Sequence, residues 1–176
     1  MYHIKQRENL MENQASLIDD IRNIPWFHDL TPDQIDRLAK ISRIQLFQPE
    51  EELFHEGDRV ENLYIILNGE VVLENYIPTM GNHVVAHAES LDVIGWSCLT
   101  PVVRQRSATV KVLKSARMIT IKGEDLIDLC EEDSSLGYII MRRVANIVAS
   151  QFLSTRLYLY EIIRNATHSL TQSGSY

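Results

Sequence analysis

The stretch that decides the fold runs Val93-Ile94-Gly95-Trp96-Ser97-Cys98-Leu99 and resumes, after a short loop, as Arg106-Ser107-Ala108-Thr109-Val110. It reads as a strand closed by a glycine, a short turn of helix, and an arginine entering the next strand. Glycine lets a ligand approach the backbone closely. The N–H groups that open a helical turn favour an anion. An arginine brought back over that end adds a permanent charge and paired donors matched to phosphate oxygens. Together these make a monoanionic phosphate site inside a barrel.

Working outward, the flanking sequence supplies such a barrel. Short β-prone runs separated by turn residues follow one another from about residue 43 to 122: Ile44–Phe47, Glu52–His55, Asn62–Leu67, Glu70–Tyr76, His83–Ala88, Leu91–Gly95, Ser107–Leu113 and Arg117–Ile121. Asn68-Gly69 lies between LYIIL and EVVLE. Both residues tolerate the positive φ of a type I′ turn, so the pair predicts a tight hairpin. Gly57-Asp58 marks another turn. Eight short strands at this spacing predict a sandwich or an eight-stranded jelly-roll (double-stranded β-helix) barrel.

Helical patterns flank the barrel. Residues 1–14 are polar and non-periodic, and are expected to be a disordered tail. Leu17, Ile18, Ile21 and Ile24 then recur at helical spacing until Pro25. Thr31-Pro32-Asp33-Gln34 is a helix start, with a capping threonine, a proline at the first helical position and an acid at the positive dipole end. Ile35, Leu38, Ala39 and Ile41 give that helix its apolar stripe. After Lys122 a short helix, Glu124–Cys130, precedes a long one at about 135–164. Its apolar positions include Leu136, Ile140, Val144, Val148, Phe152, Leu157 and Tyr160, more than one face requires, so it is expected to pack on two sides. Residues 165–176 are expected to be a second disordered tail, leaving one domain at 15–164.

Composition narrows the function classes. The chain of 176 residues carries 45% hydrophobic and 23% charged residues, the balance of a globular protein able to fill a core. No apolar run approaches the ~20 residues of a membrane span, and the N-terminus lacks a signal-peptide stretch. Cys98 and Cys130 form neither a CxxC pair nor a metal spacing, which predicts reduced thiols and a cytoplasmic location. A formal net charge of -7 repels the nucleic-acid backbone, and no basic cluster offsets it.

The ordered combination of Gly95 to Leu99 with Arg106-Ser107-Ala108 resembles the cyclic-nucleotide-binding domain family, the sensor domain of catabolite-activator and FNR-like proteins. Phe27 and Leu30 with the Thr-Pro helix, the Glu56-Gly57-Asp58 turn, the segment Leu63–Val71 and the long terminal helix resemble the remaining landmarks, so the likeness spans about residues 24–163. The resemblance implies ligand-binding residues at Gly95, Trp96, Ser97, Cys98, Leu99, Arg106, Ser107 and Ala108. It also implies a ligand such as cyclic AMP or cyclic GMP, with no further cofactor and no catalysis. Only about a dozen residues follow the long helix, too few for the DNA-binding domain of the transcription factors. Output is therefore expected through protein contacts with an effector and through a homodimer along the long helix. The N-terminal cysteine cluster of the family's iron–sulfur sensors is absent.

One residue departs from the family pattern. The residue after the glycine is an acid that accepts from the ribose 2′-hydroxyl; here it is Trp96, whose side chain donates only. Losing a hydrogen bond to a charged partner costs about 1.5–3 kcal/mol, or roughly tenfold to somewhat over a hundredfold in affinity. The pocket also becomes more positive, so it still favours an anion while losing discrimination for ribose. Three alternatives follow. Trp96 fills the pocket and the chain is a ligand-free dimeric scaffold; the ligand is a small anion other than a cyclic nucleotide; or, on the strength of His55, His83 and His87, the barrel is a metal-dependent cupin-like enzyme. The last lacks the close His-x-His pattern, and no nucleophile–base–orienter set is evident. Asn146, Ser150 and Ser154 recur at four-residue steps on the long helix, facing either a ligand base or a packing seam.

Overall fold

The computed structural model describes residues 14–59, 61–78, 81–100, 102 and 105–173, without the side chains of 161 and 165–173. Of the tails expected at 1–14 and 165–176, residues 1–13 and 174–176 lie outside these residues, whereas residue 14 and residues 165–173 are helical rather than disordered. The chain divides into two compact units, one ending at Tyr138 and one beginning at Ile139.

In the first unit, α1 (residues 14–23) buries Leu17 and Ile21. A 3-10 turn, Pro25–Phe27, starts at the proline that ends this helix. In α2 (Pro32–Ile41) the expected cap forms as a reciprocal box: Thr31 Oγ1 accepts from Gln34 N–H at 3.3 Å, and Gln34 Oε1 accepts from Thr31 N–H at 3.0 Å. The strands are β1 (Ser42–Phe47), β2 (Glu52–Phe54), β3 (Asn62–Ile77), β4 (Gly81–Ala88), β5 (Val93–Ile94) and β6 (Thr109–Lys122). Then come α3 (Gly123–Glu132) and α4 (Ser134–Ser173).

The strands form one antiparallel six-stranded sheet whose path, β1-β6-β3-β4, is open. The fold is mainly β with flanking helices, consistent with a jelly roll. The eight expected runs appear as six strands because two pairs are continuous. Asn62–Leu67 and Glu70–Tyr76 are one strand, β3; Ser107–Leu113 and Arg117–Ile121 become β6, starting at Thr109. Asn68-Gly69 is thus not a hairpin turn. The positive φ of Gly69, 109°, serves a bulged bend, where β3 and β6 stay paired while their register shifts between Ile66 and Val71. A Cβ on Gly69 would meet Ala116 Cα at 2.6 Å, so the glycine also admits the partner backbone.

Partners change at this bend. The first half of β3 lies between β5 and the second half of β6, which in turn pairs with β1. The second half of β3 lies between β4 and the first half of β6, which pairs with β2. The two halves turn their inner faces together: Tyr64, Ile66 and Met118 from one share a buried cluster with Val71, Val110 and Val112 from the other. By alternation Leu63, Ile65, Ile119 and Ile121 point the opposite way, and all are fully buried. Arg117, on that outer face, binds Asp20 of α1 through both terminal guanidinium nitrogens, at 2.5 and 3.3 Å, so helix α1 covers this side.

The turn between α3 and α4 is tied to α2. Asp133 caps α4, its Oδ1 accepting from the N–H groups of Ser135 and Leu136, while its Oδ2 accepts from Gln34 Nε2 at 3.0 Å. In the second unit α4 continues past the expected end at 164 to Ser173. Among the described residues no helix is long and apolar enough to cross a membrane.

Candidate functional site

Gly95 closes β5 with φ 74° and ψ 15°, a left-handed conformation that glycine adopts without strain. It caps the 3-10 turn Trp96–Leu99, which is held by Cys98 N–H donating to Gly95 O and Thr100 N–H donating to Ser97 O. The strand, glycine and helical turn read from the sequence are therefore present. Leu99 anchors the turn in the core, and Trp96, Ser97 and Cys98 are half-buried.

Arg106 completes the site from the far side. Its backbone is pinned to the Glu56-Gly57-Asp58 turn: its N–H donates to Asp58 O at 2.8 Å, and its carbonyl accepts from Gly57 N–H at 2.9 Å. Its side chain turns inward and only 5% of it is exposed. The guanidinium carbon lies 4.1 Å from the centroid of the Phe54 ring, which is itself stacked on Tyr64. One nitrogen, NH2, donates to the Asn62 carbonyl at 2.7 Å. The other two, Nε and NH1, are buried with no hydrogen-bond partner among the described residues. A Cβ on Gly95 would lie 2.7 Å from NH1 and 2.5 Å from Asn62 O, so the glycine and the guanidinium are in direct apposition.

Burial pulls the Arg106 pKa below its ordinary value, while Cys98, Tyr64, Glu61 and Asp58 favour the charged form. No carboxylate makes an ion pair with it among the described residues. A buried cation without a counter-ion is costly, and an anion beside Nε and NH1 would relieve that cost.

The remaining predicted residues divide. Burial pushes the Cys98 thiol up to about 11, against the opposing pull of Arg106, so it is protonated and inert near neutrality. Its Cβ would be 2.7 Å from a Cβ on Gly123, so Cys98 packs the 3-10 turn against the start of α3. Ala108 is buried, whereas Ser107 is exposed and its carbonyl accepts from Asn75 Nδ2. Phe54 and Asn62 were not legible as site residues. One acts through a ring face and the other through a main-chain carbonyl, and neither carries a residue-type signature.

The histidines do not converge. A bulge opposite Leu73 and Glu74 inserts one residue into β4, so His87 pairs with Val72 but His83 with Asn75. The extra residue puts the two imidazoles on opposite faces, although four-residue spacing in a regular strand predicts one face. His55 pairs instead with Glu52 and Asp58, and His87 with Glu70. Among the described residues no group of three potential ligands is placed to hold a metal.

A β module with an inward arginine over a glycine-capped turn defines a class of ligand-binding regulatory domains. The family model of the cyclic nucleotide-binding domain matches residues 44–133, and the chain belongs to that family. An NTE family protein of Mycobacterium tuberculosis is 28% identical over 128 residues, 73% of this chain; the chain spans only about a fifth (21%) of that relative's length. A solved structure described as a cyclic nucleotide-binding protein, from Geobacter metallireducens, superposes with a TM-score of 0.66 at 25% identity, covering 76% of this chain and 96% of its own. The regulatory domain of Toxoplasma gondii PKA, solved with cAMP, gives a TM-score of 0.57 at 20% identity over 66% of this chain and 44% of its own.

Proposed function

We propose that the chain is a sensor module, spanning about residues 15–164, that binds a small anion between Gly95–Leu99 and Arg106. The reading rests above all on the buried Arg106 guanidinium, which among the described residues keeps two unpartnered donors and makes no ion pair. The preferred ligand class is a cyclic phosphate diester such as cAMP or cGMP. Trp96 provides no acceptor for a ribose 2′-hydroxyl, so ribose is not part of the recognition. Binding would shift the population of conformations offered to an effector protein. The location is cytoplasmic, and the assembly is a homodimer along α4.

Calorimetry on the full chain tests this with cAMP, 2′-deoxy-cAMP and inorganic phosphate. Both cyclic nucleotides are expected to bind within about twofold of each other, and Arg106→Gln is expected to weaken both at least about tenfold. Binding that Arg106→Gln leaves unchanged would remove the site from this position. A second reading, a ligand-free scaffold, is favoured by one observation: Phe54 and Asn62 hold the guanidinium from two sides without any ligand. Absence of heat with all three probes would select that reading.

A further inference from the structure

Away from the arginine site, β1 is an edge strand. Ser42–Phe47 pairs with β6 on one side, and no described residue pairs with its other side. Every second residue of such a strand turns its N–H and C=O outward, a template for another strand. Proteins usually blunt an exposed edge with a proline, a bulge or a covering loop. The β1 register runs unbroken from Ser42 to Phe47 without a proline, and Leu46 stands 71% exposed.

Both faces beside this edge are hollow. On the face of Arg43 and Gln45 a cleft of about 330 Å³ is framed by Lys40, Lys122, Asn62 and Thr120. Its cations outnumber its one acid, Asp125, three to one. Lys122 is paired with Glu124, but Lys40 and Arg43 have no ion partner among the described residues. Thr120 Oγ1 is buried there without a hydrogen bond. On the face of Ile44 and Leu46 a cleft of about 570 Å³ is lined by Leu17 and Ala39 and also by Gln14, Ser16, Lys40 and Arg43; it shares Leu46 and Arg117 with one of about 620 Å³. Arg117, which also lines it, is already engaged by Asp20. Lys40 and Arg43 thus border both clefts, while strand alternation sets Ile44 and Leu46 on the face opposite Arg43 and Gln45, in a chain whose net charge is -7.

We propose that β1 receives an extended acidic segment of a partner protein as an added strand. Side chains of a strand alternate between faces, so successive residues of such a segment enter the two clefts in turn. Its acids meet Lys40 and Arg43, and its apolar residues meet Ile44 and Leu46. A helical segment has the wrong period to feed both faces of one strand.

The test uses the full chain and a synthetic peptide of about ten residues with alternating glutamate and valine. Fluorescence anisotropy is expected to show saturable binding that weakens with salt. Arg43→Glu and, independently, Lys40→Glu should each raise the dissociation constant at least about tenfold; both side chains are exposed, and unchanged melting shows that each variant is folded. Hydrogen exchange should slow in residues 42–47 on binding, and N-methylation of alternate peptide amides should abolish the interaction. The proposal is overturned by an N-methylated peptide that binds equally well, by protection appearing elsewhere while 42–47 stays unchanged, or by no binding at millimolar peptide.

Discussion

The economy of the site turns on a few atoms around Arg106. Its guanidinium is buried with two donors unused, so its presence lowers the stability of the ligand-free protein. Replacing it with a side chain of similar length and no charge removes that burden. Arg106→Met is expected to raise the ligand-free melting temperature by roughly 2–6 °C, about 1–2 kcal/mol, while abolishing anion binding; scanning calorimetry and titration on the same sample read both. Gly95 answers to a different constraint. Its positive φ coincides with contacts of 2.5 Å and 2.7 Å for an added Cβ, so Gly95→Ala should displace the guanidinium and cost binding as well as stability. Gly57 also has a positive φ, 88°, but open space around its Cβ position, so Gly57→Ala should cost only the backbone strain, about 1 kcal/mol. Restoring an acceptor with Trp96→Glu should raise cyclic-nucleotide affinity at least about tenfold if the missing acid is the only defect. Gly95 and Arg106 were legible because glycine and arginine each have a narrow set of uses. The carbonyl of Asn62 was not legible, since every residue has one.

Among the elements, β3 separates what sequence pattern can predict from what it cannot. Asn-Gly between two apolar runs signals a positive φ, and Gly69 has one. Whether the chain then reverses or merely bends depends on what lies opposite, and here β6 continues alongside. The same long-range pairing fused the last two expected strands, and a bulge hidden in HVVAHA moved His83 and His87 apart. The α2 cap was legible in full because all its partners lie within four residues. Gly69→Ala meets backbone as well as side-chain atoms of Ala116 and should destabilise by at least about 2 kcal/mol. Gly81→Ala, with positive φ but no neighbour within 4 Å, should cost markedly less in chemical denaturation. Asp133 gives a pH signature. The hydrogen bond from Gln34, followed by those from Ser135 and Leu136, holds its carboxyl well below the ordinary value of 3.8. Its contribution is therefore fully present above that value and is lost as acid protonates the folded-state carboxylate. Melting curves of Asp133→Asn and the parent protein should differ at neutral pH and converge in strong acid.

On the scale of the whole molecule, the apolar residues of α4 set the expected assembly. Phe152, Leu153 and Leu157 are 58–67% exposed in a single chain, a large apolar surface for a helix in water. Light scattering at micromolar concentration should give the mass of a dimer, and Leu157→Glu should shift it to a monomer. The bend shared by β3 and β6 has a different outcome. Each half of the bent sheet borrows half of the same two-strand ribbon, and the ribbon joins residues 62–74 to residues 109–122. A nick between Leu99 and Gln105 would leave the first fragment without β6, the shared partner of β1, β2 and β3, and the second with β6 but none of its strand partners. Neither piece should hold structure by itself, yet mixed together they should reassemble as one.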